Sequence, residues 1–285
     1  MSELVFCSKE DIKSYCDGEI LKVSNNVEEC LKKGLPRPRL LIIQVGDNPA
    51  SNKYVKNKIA TCNQSNIEAM HMKFPENITY KEIVDFLLAE RDMYHSIILQ
   101  LPLPDHLQSE LDSLMCYVRC EQDIDGFKID TFHTPATPKG IISYIEDRKG
   151  KEWFRGKHAV VIGRSNIVGK PISKLLTDLD CTVTLCHSKT KNIKKFTRMA
   201  DLIIVAVGKT KMIDSSYIST NKDTVIIDVG INFDEETGKM CGDVNYEDIT
   251  QYIKTCTPVP FGVGQLTKCQ VVKNVWDSYV MQEME

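Results

Sequence analysis

The chain has 285 residues, of which 42% are hydrophobic and 26% charged, a composition typical of a globular protein of roughly two domains. Its formal net charge of −3 shows no excess of positive charge that would attract nucleic acid or an anionic membrane. The strongly apolar runs, such as Leu202–Val207, are far shorter than the roughly 20 residues of a membrane helix, and Met1–Leu4 lacks signal-peptide character. We therefore expect a cytoplasmic protein without nucleic-acid or membrane partners.

Apolar runs alternate with amphipathic segments in the first half of the chain, which predicts a parallel sheet covered by helices. Asn48 suits the N-cap and Pro49 the first position of a helix. The predicted strands are 40–45, 67–74 and 96–100, and the helices that follow them are 49–64, 79–92 and 105–118.

Polar side chains occur where such sheets bind ligands, beyond the carboxyl ends of the strands. Tyr54 and Lys58 are four residues apart on one helix face, and Gln100 ends an apolar strand. Asp123 and Asp125 follow on the loop after the third helix. Each also has a purely structural interpretation: a solvated lysine beside a tyrosine, a glutamine bonded to nearby backbone, and turn acids that accept local N–H groups.

A second series of apolar runs predicts another parallel sheet, and the boundary between the two series falls near 138–144. The terminal segment 265–284 has helical periodicity and is expected to pack back on the N-terminal domain. The predicted domains are therefore 1–140 with 265–285, and 141–264. The predicted strands of the second series are 159–162, 182–186, 202–207 and 225–229, and its helices include 141–147 and 172–179.

A glycine-bearing turn between a strand and a helix predicts a phosphate site, because free N–H groups and the helix dipole both favour an anion there. A tight connection without a ligand is the structural alternative. The candidate residues in this turn are Gly163, Arg164, Ser165, Val168, Gly169 and Pro171. After the next strand, His187–Thr190 carries no acid that would hold a ribose 2′-OH, so NADP is favoured over NAD.

The eleven cysteines are scattered and lack paired metal-ligand spacing, which favours small buried thiols over a zinc site or a disulfide framework. No metal is expected.

A set of motifs then occurs in fixed order along the chain. The motifs are G-D-N-P-A-S-x-x-Y-V-x-x-K, L-Q-L-P-L-P, D-I-D-G-F, T-P-K-G, G-R-S-N-I-V-G-K-P, C-H-S-K-T, D-V-G-I-N and T-P-V-P-x-G-V-G. Together they cover essentially the whole chain, and this ordered set closely resembles the methylenetetrahydrofolate dehydrogenase/cyclohydrolase family.

The resemblance implies an α/β protein of two domains: an N-terminal α/β folate-binding domain with a parallel sheet, and a Rossmann-like NADP-binding domain. It implies oxidation of 5,10-methylenetetrahydrofolate with NADP⁺, followed by hydrolysis of the methenyl form to 10-formyltetrahydrofolate. It further implies tetrahydrofolate derivatives as substrates, a role in one-carbon metabolism and purine biosynthesis, and a homodimer.

Site residues follow from the same resemblance. Lys58 and Gln100 correspond to the residues of the hydrolytic step, Tyr54 to the residue that stacks on the aminobenzoyl ring, and Asp125 to the pterin-binding aspartate. Further substrate-binding residues would be Ser51, Leu101, Pro102, Pro260, Gly262 and Val263. Further cofactor-binding residues would be His187, Ser188, Lys189, Gly208, Gly230 and Ile231.

The chain departs from the family pattern at a few positions. Gln122 replaces a lysine, Ala136 a cysteine and Phe261 a glycine, and the loop 128–134 is shortened. Because phenylalanine adopts a positive φ less readily than glycine, the loop around Phe261 is expected to change shape. Three alternatives stay open: a dehydrogenase without hydrolytic activity, a non-catalytic NADP-binding protein, and an oxidoreductase acting on a shikimate-type hydroxy acid.

Overall fold

The computed structural model describes residues 5–128, 130–219 and 223–284. The described chain divides into two compact units. Unit A comprises residues 17–136 and 268–284, and unit B comprises residues 5–16 and 137–267. Met1–Leu4 and Glu285 lie outside the described residues. They form the two ends of the predicted domain ranges, and Met1–Leu4 is also the segment for which no signal-peptide character was expected. The functional domain ranges stay a prediction.

Helices and strands alternate along most of the chain. In chain order they are α1 Lys9–Lys32, β1 Arg39–Val45, α2 Pro49–Gln64, β2 Glu68–Phe74, α3 Tyr80–Glu90, β3 Ser96–Gln100, α4 Asp105–Gln108, α5 Leu111–Met115, α6 Ala136–Lys149, β4 His158–Ile162, α7 Gly169–Asp178, β5 Thr182–Cys186, α8 Ile193–Thr197, β6 Leu202–Val205, β7 Val225–Asp228, β8 Asn232–Phe233, β9 Met240–Cys241, α9 Tyr246–Ile249 and α10 Val263–Glu283. Short 3₁₀ turns occupy 91–93, 151–154 and 215–217.

Unit A is built on a parallel sheet in the order β2-β1-β3. Alternate residues of β1 face opposite sides, as the period of a strand requires. Leu41 and Ile43 pack with residues of α3, α4 and α5 on one side. Leu40 and Ile42 pack with residues of α1, α2 and α10 on the other side, where Val272 of α10 is fully buried. Both faces are covered, which explains why the central strand β1 is apolar and buried from Leu40 to Ile43.

Unit B is built on a parallel sheet in the order β5-β4-β6-β7. Beyond β7 the sheet is extended by one residue pair, Ile226 with Cys256, in parallel orientation. The order places β4 and β6 at the centre, where all their residues except His158 are buried. Ligands of sheets with this order bind beyond the carboxyl ends of the central strands.

Two helical segments differ from the sequence-based prediction. The 24-residue helix α1 was not predicted. The predicted single helix 105–118 is instead two short helices, α4 and α5, separated at Ser109–Glu110. Both helices bury leucines in the same core, Leu107 from α4 and Leu114 from α5, so the break does not expose the apolar side chains.

Among the residues that the structure describes, no helix combines the length and the apolar character needed to cross a membrane. Within the same residues no cluster of histidine, cysteine and acidic side chains has the arrangement of a metal site. None of the eleven cysteines, all of which lie within the described part of the chain, forms a disulfide, and most of their side chains are buried.

Candidate functional site

Lys58, Gln100 and Asp125 come together in unit A. The Lys58 ammonium donates to Gln100 Oε1 at 3.2 Å, and its Nζ lies 3.7 Å from Asp125 Oδ2. The side chains of Lys58 and Asp125 are 13% and 17% exposed, so the ion pair is shielded but reachable. A lysine ammonium has three N–H donors, and the hydrogen bond to Gln100 uses one of them, since Asp125 lies beyond hydrogen-bond distance. The arrangement is suited to moving a proton at Lys58 Nζ.

The orientation of the Gln100 amide follows from its other partner. Gln100 Nε2 donates to the Leu101 carbonyl at 2.8 Å, so Oε1 is the atom that faces Lys58. Ser51 Oγ donates to the same carbonyl at 3.1 Å, and the Ser51 backbone N–H donates to Asn48 Oδ1 at 3.1 Å. The first turn of α2 is therefore tied to the end of β3. Predicted residues Ser51, Gln100 and Leu101 thus lie together, with Pro102 next in the chain.

Asp125 is held by the segment beside β3. Ile97 pairs with Asp123 in parallel orientation, and the Ile97 N–H donates to the Gln122 carbonyl at 2.9 Å. Asp123 is fully buried and its Oδ2 accepts from the Lys128 N–H at 2.8 Å. Burial raises the pKa of Asp123 above its usual value. Asp123 therefore supports the turn, while Asp125 is the acid that reaches Lys58.

Gln122, which replaces a lysine of the family motif, is a buried structural residue. Its Nε2 donates to the carbonyls of Arg91 at 2.9 Å and Tyr94 at 2.6 Å. Ala136, the other small departure in this region, begins α6 and is also buried. Of the shortened loop 128–134, all residues except Ile129 are described, and Lys128 Nζ donates to the Val118 carbonyl at 2.9 Å.

Tyr54 stands on the same face of α2 as Lys58, one turn earlier. The side chain is 42% exposed, which leaves part of its ring open to a ligand. Partial burial raises the pKa of the Tyr54 hydroxyl, so the side chain is neutral at physiological pH. Tyr54 therefore offers an uncharged aromatic surface beside the Lys58 amine.

Gln44 was not predicted, although it supports the same region. It lies in β1 directly beside Gln100 of β3 and Lys73 of β2. Its Nε2 donates to Asn52 Oδ1 of α2 at 2.8 Å and to the Gly46 carbonyl at 3.2 Å. A glutamine inside an otherwise apolar strand was the signal that identified Gln100, and the same signal is present at Gln44.

His71 of β2 is a further polar side chain in contact with Gln44. Because Gln44 Nε2 donates both of its hydrogens, Gln44 Oε1 must accept from His71 Nε2 at 3.1 Å, which assigns the proton to that ring nitrogen. Burial and the nearby Lys73 ammonium lower the pKa of His71. Lys73 in turn pairs with Asp47 at the start of the loop before α2. Gln44 and Lys73 thus hold the start of α2 in place from the side opposite Gln100.

The turn between β4 and α7 in unit B is so tightly packed against neighbouring backbone that it requires glycine at two positions, as the turn of a dinucleotide site does. A Cβ atom on Gly163 would lie 2.1 Å from the Ala206 carbonyl oxygen, and one on Gly169 would lie 2.0 Å from the Gly163 carbonyl oxygen. Ser165 Oγ accepts from the N–H groups of Val168 at 3.2 Å and Gly169 at 3.4 Å. These N–H groups therefore suit an oxygen acceptor, and the α7 dipole favours an anionic one.

The carboxyl ends of β4 and β5 are adjacent at this turn. The Gly163 N–H donates to the Cys186 carbonyl at 2.9 Å, so Arg164 and the segment after Cys186 start from the same edge of the sheet. Arg164 is exposed.

The segment after β5 forms a compact turn with basic and hydroxyl side chains. The His187 N–H donates to Thr190 Oγ1 at 2.9 Å, and the Lys189 N–H donates to His187 Nδ1 at 3.2 Å. Ser188 and Lys189 are exposed. The turn presents no acid, which fits a 2′-phosphate rather than a bare ribose hydroxyl.

Asp243, which sequence reasoning missed, shapes the loop after β6. Its Oδ2 accepts from the N–H groups of Val207 at 2.7 Å and Gly208 at 3.1 Å. Its Oδ1 accepts from the Lys209 N–H at 2.7 Å and from Asn232 Nδ2 at 2.9 Å. The buried carboxylate thus connects the predicted cofactor residue Gly208 with the segment after β7.

Asp228, at the end of β7, is a second buried acid. Its carboxyl accepts from the N–H groups of Gly230, Asp243 and Val244 at 3.0, 3.0 and 2.9 Å. Its own N–H donates to Thr257 Oγ1 at 2.8 Å. Burial raises the pKa of Asp228 to about 7 in spite of these donors. The predicted residue Gly230 is fixed by this network, and the next predicted residue, Ile231, is exposed.

The loop that contains Pro260, Gly262 and Val263 lies in unit B. Sequence reasoning expected Phe261 to avoid the left-handed conformation, but its φ is +81°. The backbone thus keeps the conformation that a glycine would take. Lys9 Nζ lies 4.2 Å from the centre of the Phe261 ring, and this cation–π contact favours the observed position.

The predicted residues therefore form two groups. Tyr54, Lys58, Gln100 and Asp125 belong to unit A, together with Ser51, Leu101 and Pro102. The predicted cofactor residues belong to unit B. A phosphorylated dinucleotide fits three features there: the Gly163–Gly169 turn, the dipole of α7 and the basic turn after β5. Pro260, Gly262 and Val263, predicted to bind substrate, also belong to unit B.

Comparison with known proteins gives one consistent assignment. Residues 13–125 match the catalytic domain, and residues 135–283 the NAD(P)-binding domain, of the family described as tetrahydrofolate dehydrogenase/cyclohydrolase. The chain is 41% identical over 265 residues to the bifunctional protein FolD of Oceanobacillus iheyensis, covering 89% of this chain and 90% of that protein.

Solved structures agree with this assignment. The bifunctional FolD of Campylobacter jejuni has a TM-score of 0.88 at 34% identity, covering 95% of this chain and 98% of that one. The Trypanosoma brucei methylenetetrahydrofolate dehydrogenase–cyclohydrolase, solved with NADP and an inhibitor, has a TM-score of 0.87 at 25% identity, covering 99% of both chains. The chain therefore belongs to the tetrahydrofolate dehydrogenase/cyclohydrolase family.

Proposed function

We propose that the Lys58–Gln100–Asp125 group carries out the hydrolytic half of a two-step reaction on folate-bound one-carbon units. As a member of its family the chain is an NADP-dependent methylenetetrahydrofolate dehydrogenase and methenyltetrahydrofolate cyclohydrolase. The observation that carries the residue assignment is the distance of 3.2 Å from Lys58 Nζ to Gln100 Oε1, with Asp125 at 3.7 Å.

The dehydrogenase step requires mainly that the substrate and the cofactor are held in the right relative orientation. The one-carbon unit lies between two nitrogens, and the methenyl cation that forms is stabilised by both of them. NADP⁺, when bound, accepts the hydride that leaves this carbon. The residues of the chain therefore have to position substrate and cofactor, and no side chain has to supply a proton.

The cyclohydrolase step requires proton transfer. As a water oxygen bonds to the methenyl carbon, the Lys58 amine accepts the proton that the water loses. The same proton then goes to the ring nitrogen whose bond to that carbon breaks. The remaining hydroxyl proton is released to solvent as the carbon–oxygen double bond of the 10-formyl product forms, so that one proton is set free for each cation hydrolysed. Gln100 Oε1 and Asp125 Oδ2 hold Lys58 Nζ in place for both transfers. General acid–base groups of this kind accelerate a reaction about 10²–10⁴-fold.

Tyr54 and Asp125 supply the remaining substrate contacts in unit A. The exposed part of the Tyr54 ring would stack on the aminobenzoyl group. Asp125 would accept hydrogen bonds from the pterin amino and ring N–H groups, which are strong because the acceptor is charged. Ser51, Leu101 and Pro102 would line the same region, and Pro260, Gly262 and Val263 of unit B would also contact substrate.

In unit B the pyrophosphate of NADP would lie at the Gly163–Gly169 turn, at the N-terminus of α7. Arg164 and the His187–Lys189 turn would hold the 2′-phosphate. Gly208, Gly230 and Ile231 would line the path of the cofactor beyond β6 and β7. We further infer that the protein acts in the cytoplasm as a homodimer and supplies 10-formyl groups for purine synthesis; sedimentation of the purified chain at the mass of a monomer would contradict the homodimer.

An assay that follows two signals separately tests the function. Purified protein is incubated with 5,10-methylenetetrahydrofolate and NADP⁺, and NADPH and the methenyl form are measured independently. NADPH that rises while the methenyl form stays low, with 10-formyl product, is the expected result. Accumulating methenyl form would leave a dehydrogenase alone and refute the role of Lys58. No NADPH, even with NAD⁺ as cofactor, would favour a non-catalytic binding protein.

A further inference from the structure

Phe261 is an aromatic residue on a backbone conformation that disfavours it. Its φ of +81° lies in the left-handed region, where a Cβ atom crowds the following carbonyl. The ring is 48% exposed, so burial in the core does not account for the residue. Backbone strain of this kind persists mainly where it positions a group for binding or catalysis. The observation therefore points to a ligand for the ring.

The position of Phe261 in unit B indicates which ligand. The Thr257 N–H donates to the Ile226 carbonyl at 3.0 Å, so residues 256–257 run beside β7 in the same direction. The loop 258–262 consequently leaves the sheet at its carboxyl edge. This is the edge that carries the Gly163–Gly169 turn and the turn after β5.

The order of the strands fixes a direction along this edge. The sheet runs β5-β4-β6-β7, with the basic turn after β5 at one end and the 258–262 loop beyond β7 at the other. A dinucleotide with its 2′-phosphate beside β5 and its pyrophosphate at the β4–α7 turn extends toward β6 and β7. Phe261 therefore lies at the end opposite the adenosine half.

One face of the ring is already occupied. Lys9 Nζ lies 4.2 Å from the ring centre, which fixes the phenyl group from that side. The exposed remainder of the ring is free to contact a planar group. A nicotinamide ring is planar and matches a phenyl face in size, and aromatic rings in offset contact attract each other.

We propose that Phe261 stacks against the nicotinamide half of bound NADP and contributes to its affinity. The proposal rests on the cofactor site of the proposed function and adds a binding residue to it. It predicts that Phe261 affects only ligands that contain the nicotinamide half.

Calorimetric titration of the full chain with two ligands tests the proposal. NADP⁺ contains both halves of the cofactor, whereas adenosine 2′,5′-bisphosphate contains only the adenosine half. Phe261→Gly is expected to weaken NADP⁺ binding about 2- to 10-fold and to leave bisphosphate binding unchanged. Phe261→Tyr, which keeps the ring, is expected to bind both ligands as the unsubstituted protein does. Because glycine relieves the strained backbone, Phe261→Gly should also unfold at the same or a higher temperature.

Two further variants make the comparison specific. Phe132→Gly removes another exposed phenyl ring, in unit A, and is expected to leave both affinities unchanged. Arg164→Ala is expected to weaken both ligands, because both carry the 2′-phosphate. Equal NADP⁺ affinity in Phe261→Gly and the unsubstituted protein would overturn the role of Phe261. Equal weakening of both ligands in Phe261→Gly would also overturn it. Failure of the unsubstituted protein to bind either ligand would instead refute the cofactor site.

Discussion

At the scale of single residues, Lys58 depends on side chains from two other segments. Gln100 comes from the end of β3, and Asp125 comes from the turn that runs beside β3. The Leu101 carbonyl fixes the Gln100 amide, so the oxygen that faces Lys58 cannot be exchanged for the NH₂ group without losing a hydrogen bond. The site is thus preorganised before any substrate is present.

Replacing Lys58 separates the two activities. Lys58→Met keeps an unbranched side chain shorter by one atom and removes the amine, so we expect cyclohydrolase activity to fall about 10²–10⁴-fold. Dehydrogenase activity should fall far less, because hydride transfer needs no proton from Lys58. The measurement is the rate of methenyl hydrolysis compared with the rate of NADPH formation. Lys56→Met, an exposed substitution on the same helix, serves as the control; cyclohydrolase activity retained in Lys58→Met would contradict the assignment.

Arg164 is predicted to set the preference for NADP. Hydrogen bonds to charged groups contribute about 1.5–3 kcal/mol, which corresponds to a loss of about 10- to 150-fold in kcat/KM with NADP⁺ for Arg164→Ala. The value of kcat/KM with NAD⁺ should hardly change, since NAD⁺ lacks the 2′-phosphate. Arg155→Ala removes an exposed arginine that precedes β4, at the other edge of the sheet, and should affect neither cofactor. Equal losses with both cofactors in Arg164→Ala would refute a 2′-phosphate contact.

At the scale of elements, strands β1, β3, β4, β6 and β7 were predictable because each is a short, mostly buried and mostly apolar run bounded by polar or turn residues. Strands β2 and β5 are more exposed. The predicted 96–100 and 182–186 agree with β3 and β5 at both ends, whereas the predicted 202–207 is two residues longer than β6. The Ala206 N–H still donates to the Ile162 carbonyl of β4, and the ladder ends at Val207, whose N–H bonds to the Asp243 carboxylate instead. That bond joins residues far apart in sequence, so a local pattern gives no sign of it.

The helices were less predictable, for different reasons. Helix α1 contains Gly18 and a run of polar residues around Asn25, which weaken its helical pattern although Ile12 and Val27 are fully buried. The separation of α4 from α5 has no proline or glycine to mark it. In unit A the site follows from residues at strand ends, but the roles of Gln44 and His71 require the register of β1 against β2.

Gly18 and Gly169 should respond oppositely to alanine. Gly18 is an exposed residue within α1, and an added Cβ would meet nothing within 4 Å, so Gly18→Ala should raise the free energy of unfolding by about 0.5–1 kcal/mol. Gly169→Ala should lower it by about 1–3 kcal/mol, because the methyl group would collide with the Gly163 carbonyl. Denaturant unfolding of both variants measures this difference. A stable Gly169→Ala variant that binds NADP⁺ normally would argue against a phosphate site at the Gly163–Gly169 turn.

At the scale of the whole molecule, buried Asp228 should make stability depend on pH. Its pKa is about 7 in the folded protein and near 3.9 in an unfolded chain. Between these values the folded protein holds a proton that the unfolded chain has lost. The contribution of Asp228 to stability is therefore complete below about pH 4 and is lost as the pH rises through 7.

The corresponding experiment compares unfolding at several pH values. In the unsubstituted protein Asp228 should add a decrease of up to about 1.4 kcal/mol per pH unit between pH 4 and 7. Asp228→Asn cannot titrate and should show a smaller decrease, although its overall stability falls because the amide NH₂ faces a backbone N–H donor. Asp178→Asn, at an exposed acid of α7, is the control. Identical pH slopes for Asp228→Asn and the unsubstituted protein would show that Asp228 is ionised throughout.

The order in which the chain visits its two units bears on how the protein is synthesised. Residues 17–136 form most of unit A, but the segment 268–284 that completes it is translated only after residues 137–267 of unit B. Val271, Val272 and Val275 of that segment pack against Leu40 and Ile42, which are translated more than two hundred residues earlier. Domains usually fold in turn as they emerge, at about 5–20 residues per second. Here the part of the first sheet's face that α10 covers stays exposed for roughly ten seconds or more at such rates, so a chain truncated before residue 268 would be prone to aggregation.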